Sequence, residues 1–532
     1  MADFGEILRN IGEFGLFQKL TLIAVCFPNF VESFVFASFI FIQSDPERHC
    51  KTDWILQTDS NLTTEEQLNL TLPREEDGTF SRCRMFVPVD WDINAIREYG
   101  LNETTGCQNG WEYYNLMYEA TIITDFDLIC DKAILVQVMQ AVFMVGVIVG
   151  SVVFGLFADS FGRKRATQIT LVILLTFTVT TALCPNVYLY LASQFMVGVG
   201  GGGYRINSVI LATEWIGPSK RSWGSCAPTL FGAVGQCALA GLIYAIRHWR
   251  VAQLIAAAPA AVAALYIWFI PESARWLLSR GRTEEAKQLI VKAAAINKRT
   301  VPDSLLISIK DAVKKGGINI IFRSPLLTRY LFIVALGWFS LCIAFLALYL
   351  NMGTFGLDIF LTQFVFGFSE IPSIFLAIWL LEVLGRRILF ISTLLIGGLS
   401  CILILAVPQG YSIAVTSLAV IARFFLIWAG SICIIFIQEL FPTSVRQTAT
   451  AFGAMAARAG GALAPLLNML AVYHWSIPTA VFSSLILISG ALGFLLPETR
   501  SKELPESADE AKNYRNVTST RTEGLNQEST KF

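Results

Sequence analysis

Five ionisable residues of this chain stand where such residues are costly. Glu32, Arg205, Glu370, Arg423 and Arg458 each interrupt a long apolar run. A charge taken out of water needs a partner, a ligand or trapped water, and at membrane depth it marks a functional site by default. Three arginines against two glutamates leave positive charge in excess, and a cavity with that excess attracts organic anions and repels cations. The guanidinium adds a planar fork of donors that fits a carboxylate. Arg458, set in Met455-Ala-Ala-Arg458-Ala-Gly-Gly, is the foremost candidate anchor, and a structural ion pair with Glu32 or Glu370 is the competing reading. Glu370 heads Glu-Ile-Pro at 370–372 and reads as a structural group beside a proline kink. Arg423 is a substrate-binding candidate with the same structural alternative.

Other chemistries are missing from the pattern. His49, His248 and His474 show no zinc-type spacing, and no nucleophile–base set stands out. Gly-Arg-Lys-Arg at 162–165 is not a Walker loop. The expectation is a non-enzyme with no cofactor, no metal and no nucleotide drive.

What holds these charges must be helices in lipid. The 532 residues are 54% hydrophobic and 15% charged, with 40 basic and 40 acidic groups; a soluble domain carries about 25% charged residues. That balance excludes a disordered chain, a nucleic-acid binder with a basic face and a small disulfide scaffold. Apolar blocks near bilayer length place twelve spans at 17–42, 133–157, 166–184, 188–211, 222–246, 251–270, 326–349, 358–381, 389–407, 411–438, 447–471 and 476–496. Helices satisfy their own backbone in lipid, and no alternating ten-residue barrel segments occur. Gly198 and Gly200 to Gly203 crowd the fourth span, where small residues let helices approach closely.

Loops rich in Lys and Arg (163–165, 220–221, 386–387, 446 and 271–325) fall on one side, with 247–250 the exception on the other. The positive-inside rule makes both termini cytoplasmic, and the first apolar block lacks the flanks of a cleavable signal. The segment 43–132 is then extracellular, with 18 acidic and 7 basic residues. It carries sequons at Asn61, Asn69 and Asn102 as glycosylation sites, while Asn516 is cytoplasmic and unused. Cys50, Cys83, Cys107 and Cys130 read as two disulfides with three pairings open.

The chain also repeats itself. Asp159 precedes Arg163 as Glu382 precedes Arg386, by four residues; Glu214 precedes Arg221 as Glu439 precedes Arg446, by seven. Pro-Glu272-Ser-Ala-Arg275 is matched by Pro-Glu498-Thr-Arg500, and the offsets are 223, 225 and 226. The expected architecture is an all-α membrane protein of two six-helix halves in parallel repetition. Its parts are a cytoplasmic N-terminus (1–16), the N-half (17–270), a cytoplasmic linker (271–325), the C-half (326–496) and a disordered cytoplasmic tail (497–532). In the linker, 283–299 reads as an amphipathic helix that braces the two halves, with Thr283 as N-cap and acids in the first turn.

These motifs resemble the major facilitator superfamily. Pro-Glu-Ser-Ala-Arg-Trp-Leu-Leu at 271–278 and Glu-Leu-Phe-Pro-Thr at 439–443 resemble its sugar-porter-like branch. The cysteine-bearing outer loop, Gly-Trp-Glu-Tyr at 110–113, Thr-Glu-Trp-Ile-Gly-Pro at 213–218 and Gln-Thr after Arg446 resemble the organic anion and cation transporters of solute carrier family 22. The resemblance implies arginine at the position of Arg458 in anion carriers and an acid there in cation carriers. It puts Arg205 and Glu32 at cavity-lining positions that are uncharged in the better-known anion carriers. They form either an ion pair that narrows the pocket or a second anion anchor beside a titratable acid. A basic residue expected after the span-eight proline is Ile374, and aromatic cage positions are thinned to Gly232, Leu346, Gly430 and Ile434. Phe345 remains, with Trp338 and Phe339 on the same span. A thinned cage implies a smaller or more polar substrate, and the nearest branch is the one that exchanges nicotinate and urate.

The acid–arginine motifs lie at cytoplasmic helix ends, where carboxylate–guanidinium pairs can lock the two halves together and release them. The expected gate is Asp159, Arg163, Glu214, Arg221, Glu272 and Arg275 in the N-half and Glu382, Arg386, Glu439, Arg446, Glu498 and Arg500 in the C-half. The function expected is a multi-pass plasma-membrane carrier of organic anions working by alternating access, with exchange against a counter-anion. Its partners are the lipid bilayer and, through Thr530-Lys531-Phe532, a PDZ protein; nucleic acid is not one. A carrier of cations or zwitterions anchored on Glu32 and a non-transporting receptor or scaffold are the alternatives.

Overall fold

The computed structural model describes residues 4–35, 46–75, 78–114, 119–217, 221–302, 319–351, 358–408, 410–441 and 445–499. The side chains of Glu32, Arg221, Glu382 and Arg446 lie outside that description, as do Arg500, Asn516 and Thr530-Lys531-Phe532.

Twelve long helices occupy the twelve expected spans. In order they are Leu16–Val35, Ile134–Phe161, Arg163–Leu183, Val187–Trp215, Arg221–Ala245, Trp249–Tyr266, Pro325–Leu350, Ile359–Leu384, Arg386–Ala406, Ser412–Leu440, Arg446–Asn468 and Ser476–Leu492, called spans 1 to 12 here. Among the described residues, ten stretches are long and apolar enough to cross a membrane. Spans 1 and 4 are the other two, and span 4 is diluted by its glycines and Arg205. Spans 3 and 9 begin three residues before their expected starts, because their basic first turns are helical although polar. Gly162 (φ 112°) and Gly385 (φ 89°) break the chain just before them, in a region that favours glycine.

Packing within each half follows from small residues and displaced hydrogen bonds. A Cβ on Gly200 would lie 2.7 Å from the Leu174 amide of span 3, and one on Gly202 would overlap the Val147 carbonyl of span 2. The glycine run therefore serves close approach. In span 1, Pro28 has no N–H for the Ala24 carbonyl. The Tyr266 hydroxyl donates to that carbonyl instead, at 2.9 Å, and the Tyr204 hydroxyl donates to Val25 at 2.8 Å. Spans 6 and 4 thus repair span 1. The halves meet where span 5 packs on span 8 and span 2 on span 11.

Between spans 1 and 2 lies a small domain. β1 (Glu47–Cys50) pairs antiparallel with β4 (Trp111–Tyr114), and β2 (Arg84–Phe86) with β3 (Thr104–Gly106). Of the three pairings open in the sequence, it carries Cys50–Cys107 and Cys83–Cys130. Asn61, Asn69 and Asn102 are all exposed. The odd basic pair at 247–250 fastens this domain to the N-half. Asp125 accepts from the Trp249 indole at 2.9 Å and from Arg250 at 3.1 Å, while Arg250 also donates to the Ala182 and Cys184 carbonyls ending span 3. A cation at a helix C-terminus is favourably placed.

The linker helix is Thr283–Ile296, with Glu284 and Glu285 in its first turn as expected. Arg282, not Thr283, holds the cap position, without a side-chain cap bond; Thr283 is already helical. The described contacts of this helix are to the N-half and the N-terminal helix Phe4–Ile11.

Candidate functional site

Two charge clusters end the helices opposite the small domain between spans 1 and 2, called the outer domain here after its expected side. In the N-half, Arg163 pairs with Asp159 at 2.7 Å and reaches Glu214 at 3.7 Å. In the C-half, Arg386 holds Glu439 through Nε and Nη2 at 2.9–3.1 Å, and the Thr499 hydroxyl donates to the same carboxylate at 2.6 Å. Glu272 and Glu498 play a part that spacing did not show. Glu272 accepts from the backbone amides of Arg163 and Lys164, both at 3.0 Å; Glu498 accepts from those of Arg386 and Arg387 at 2.9 and 3.1 Å. Each is an anionic cap on the N-terminus of span 3 or 9, where unpaired amides and the helix dipole favour negative charge. A Cβ on Gly385 would sit 2.8 Å from the Glu498 carboxylate, and one on Gly162 would overlap Glu272. The glycine before each basic run makes room for the cap.

Two pairings differ from those the spacing suggested. Glu272 binds amides rather than Arg275, which is exposed. Glu439 binds Arg386 at a spacing the repeat did not single out. The described ion pairs each join helices of one half.

The described bonds between halves lie nearer the outer domain. The Cys237 thiol of span 5 donates to the Phe364 carbonyl of span 8 at 3.9 Å, and Tyr244 meets Phe360 edge-on at 5.6 Å. Deeper, Arg423 of span 10 donates to Gln236 of span 5 at 3.0 Å.

Arg423 and Glu370 form one buried unit. Arg423 is 0% exposed and bonds Glu370 at 2.5 Å. Phe345, Phe366 and Tyr349 surround its guanidinium at 4.1, 4.8 and 5.4 Å from their centroids. Its Nε and Nη1 lack hydrogen-bond partners, and the ring faces supply cation–π attraction instead. In this conformation Arg423 is a sealed strut, so the expectation that it touches substrate is corrected. Gln236, Tyr349 and Phe366 complete this unit; the only sequence signal was Phe345 and Tyr349 one turn apart.

Two arginines remain. Arg205 is exposed in mid-span, and Arg458 is half-buried on span 11. Phe345 is half-buried beside Arg423. Glu32 lies on span 1, with its side chain outside the description. Among the described residues no His, Cys, Asp and Glu cluster could hold a metal ion.

Comparison with known proteins places this geometry. Residues 91–510 match the family of sugar (and other) transporters. Human solute carrier family 22 member 13 is 36% identical over 511 residues, covering 95% of this chain and 93% of that protein. The chain belongs to solute carrier family 22. Member 6-B of Xenopus laevis is 32% identical over 95% of this chain and 94% of its own length, and human member 14 is 31% identical over 96% and 89%. Among solved structures, the proton:xylose symporter XylE bound to 6-bromo-6-deoxy-D-glucose superposes with a TM-score of 0.58 at 17% identity, over 92% of this chain and 98% of that one. The inward open conformation of XylE from E. coli gives 0.57 at 16%, over 92% and 98%. At such identity the likeness shows the fold alone. This family 22 chain is a multi-pass membrane transporter with the major facilitator fold.

Proposed function

We propose that this family 22 carrier moves organic anions across the plasma membrane by alternating access, with Arg458 and Arg205 as anion anchors and Phe345 lining the site. The observation that carries the reading is the fate of the five mid-span charges. Arg423 and Glu370 neutralise one another in a sealed pair, while Arg205 stands exposed in mid-span on span 4 and Arg458 is half-buried on span 11. The charge left to the shared space is two arginines against Glu32. Desolvated guanidinium forks suit small carboxylates, and the thinned aromatic lining favours compact substrates such as nicotinate or urate. Exchange against an internal anion follows from an arginine site that is costly to return empty. With both termini cytoplasmic, the inter-half contacts near the outer domain close the outer side, and the charge clusters act as the inner gate.

Uptake by cells expressing wild type, Arg458→Ala and Arg205→Ala at matched surface amount tests this. The panel holds labelled nicotinate, urate, a dicarboxylate and an organic cation, with and without anion preloading. Anion uptake lost in both variants and stimulated by preloading is expected. Cation uptake, or anion uptake indifferent to both arginines, would overturn the reading.

A further inference from the structure

The helix Phe4–Ile11 precedes the first span, yet its apolar face is buried. Ile7, Leu8 and Ile11 are 1%, 2% and 0% exposed. They share one core with Trp215 at the end of span 4, Ile270 and Ala274 after span 6, and Ile290, Ala293 and Ala294 of the linker helix. Polar groups fix the same contact. The Asn297 amide, just past the linker helix, donates to the Ile11 carbonyl and to Gln18, both at 2.8 Å, and its oxygen accepts from the Phe17 amide at 2.9 Å. One side chain thus satisfies the end of the first helix and the start of span 1. Gly15 lies flush against it, since a Cβ there would overlap the Asn297 side chain. Arg299 donates to the Arg9 carbonyl at 3.3 Å, and the Gly217 amide after span 4 donates to Glu13 at 3.1 Å.

These contacts lead to the inner charge cluster. Phe17 meets Trp215 edge-on at 4.9 Å, and the Trp215 indole donates to the Glu272 carbonyl at 3.1 Å. Glu272 is the residue whose carboxylate caps span 3. We propose that the N-terminal segment is a strap buckled by Asn297, which fastens the linker helix to the N-half and holds Trp215 and Glu272 in place for the transport cycle. Asn297 is a positioning residue in this scheme. The linker then moves as part of the N-half rather than as a loose tether.

The test is the full-length chain with Gly15→Cys and Asn297→Cys, whose adjacent side chains can form a disulfide. Reduction leaves the strap unbuckled, and oxidation fastens it covalently. Amide deuterium exchange at 213–217 and 272–276 is read on purified protein, and uptake of labelled nicotinate on cells at matched surface amount. The uptake arm rests on the function proposed above; the exchange arm needs no substrate. Expected for the reduced pair is exchange several-fold faster at those segments and uptake several-fold slower, both restored by oxidation. Asn297→Asp, which keeps the acceptor for Phe17, should fall between. Equal exchange in the two redox states would overturn the proposal. So would a rise spread equally over 386–390 of the C-half, which would report general loosening. A wild type that carries no nicotinate would count against the proposed substrate, and the exchange arm would still decide the strap.

Discussion

Gly367→Val should push this carrier out of the conformation described here. A Cβ at Gly367 of span 8 would stand 3.0 Å from the Cys237 amide, 3.0 Å from its sulfur and 3.0 Å from the Gln236 Cβ, all on span 5. Two of these three neighbours are backbone or adjoin it and cannot rotate away. Overpacking of this kind costs about 1–3 kcal/mol. The cost falls only on the state in which spans 5 and 8 are pressed together, because parting them frees the new methyl groups. At about 1.4 kcal/mol per decade, the equilibrium between states should move by roughly 5- to 150-fold. Any change in helix propensity acts on both states alike and cancels. The assay is labelling of Cys237 by a membrane-impermeant thiol reagent, resolved by peptide mass spectrometry, with Cys237→Ala as the blank. Labelling should accelerate at least several-fold. Gly235→Ala is the control: its Cβ would lie 2.6 Å from the Phe30 carbonyl of span 1, inside the same half. It should lower thermal stability without changing the labelling rate. Unchanged labelling in Gly367→Val at normal abundance would refute the claim that this contact belongs to one state.

Three further outcomes follow. Glu272→Gln and Glu498→Gln should each lower the thermal midpoint in detergent, since an anionic cap with two amide donors is replaced by a neutral one worth about 1–2 kcal/mol less; unshifted midpoints would show that the caps are incidental. Asp125→Asn and Arg250→Ala should speed amide exchange at 120–133 several-fold while leaving the two disulfides intact. In the outer domain, amide and hydroxyl donation from Thr63 holds the Glu66 carboxyl below the usual carboxylate range, with Arg97 adding to it. A depressed folded value gives stability that is present above the ordinary value of about 4.3 and is lost as pH falls through the lower one. The helix Thr64–Thr71 should therefore loosen only in acid, read by amide exchange, and Glu66→Gln should abolish that acid dependence.

Much of the fold was legible because lipid imposes a simple rule. A spanning helix is predominantly apolar, so the positions of the apolar blocks located all twelve spans. The misplaced starts of spans 3 and 9 have one cause: Arg163 and Arg386 are polar, and hydropathy cannot see that their amides are capped by residues 109 and 112 positions away. The repeat located the acids and arginines of the two charge clusters but not their partners. Glu272 and Arg275 lie only three positions apart in sequence, yet a helix N-terminus from another span competes better for the carboxylate. The central charges were located for the same reason as the spans, and their roles were divided only by contacts. Arg423 and Arg458 look alike as letters; the aromatic faces around Arg423 come from residues 57 to 78 positions away and make one a strut. The Asn297 buckle left no mark in the sequence, because a single asparagine after a helix is ordinary.

The outer domain has its described fastenings on the N-half, through Asp125, Trp249 and Arg250. A folded mass carried by one half turns with it and acts as a lever arm outside the bilayer. On the proposed alternating-access cycle its far edge would sweep further than any residue in the membrane. Sugars at Asn61, Asn69 and Asn102 would travel with that edge, so a glycan large enough to meet the opposite half would act as a mechanical stop. Binding proteins raised against this domain would then sort by effect: those that grip it alone should ride along harmlessly, and those that also reach the C-half should arrest the carrier.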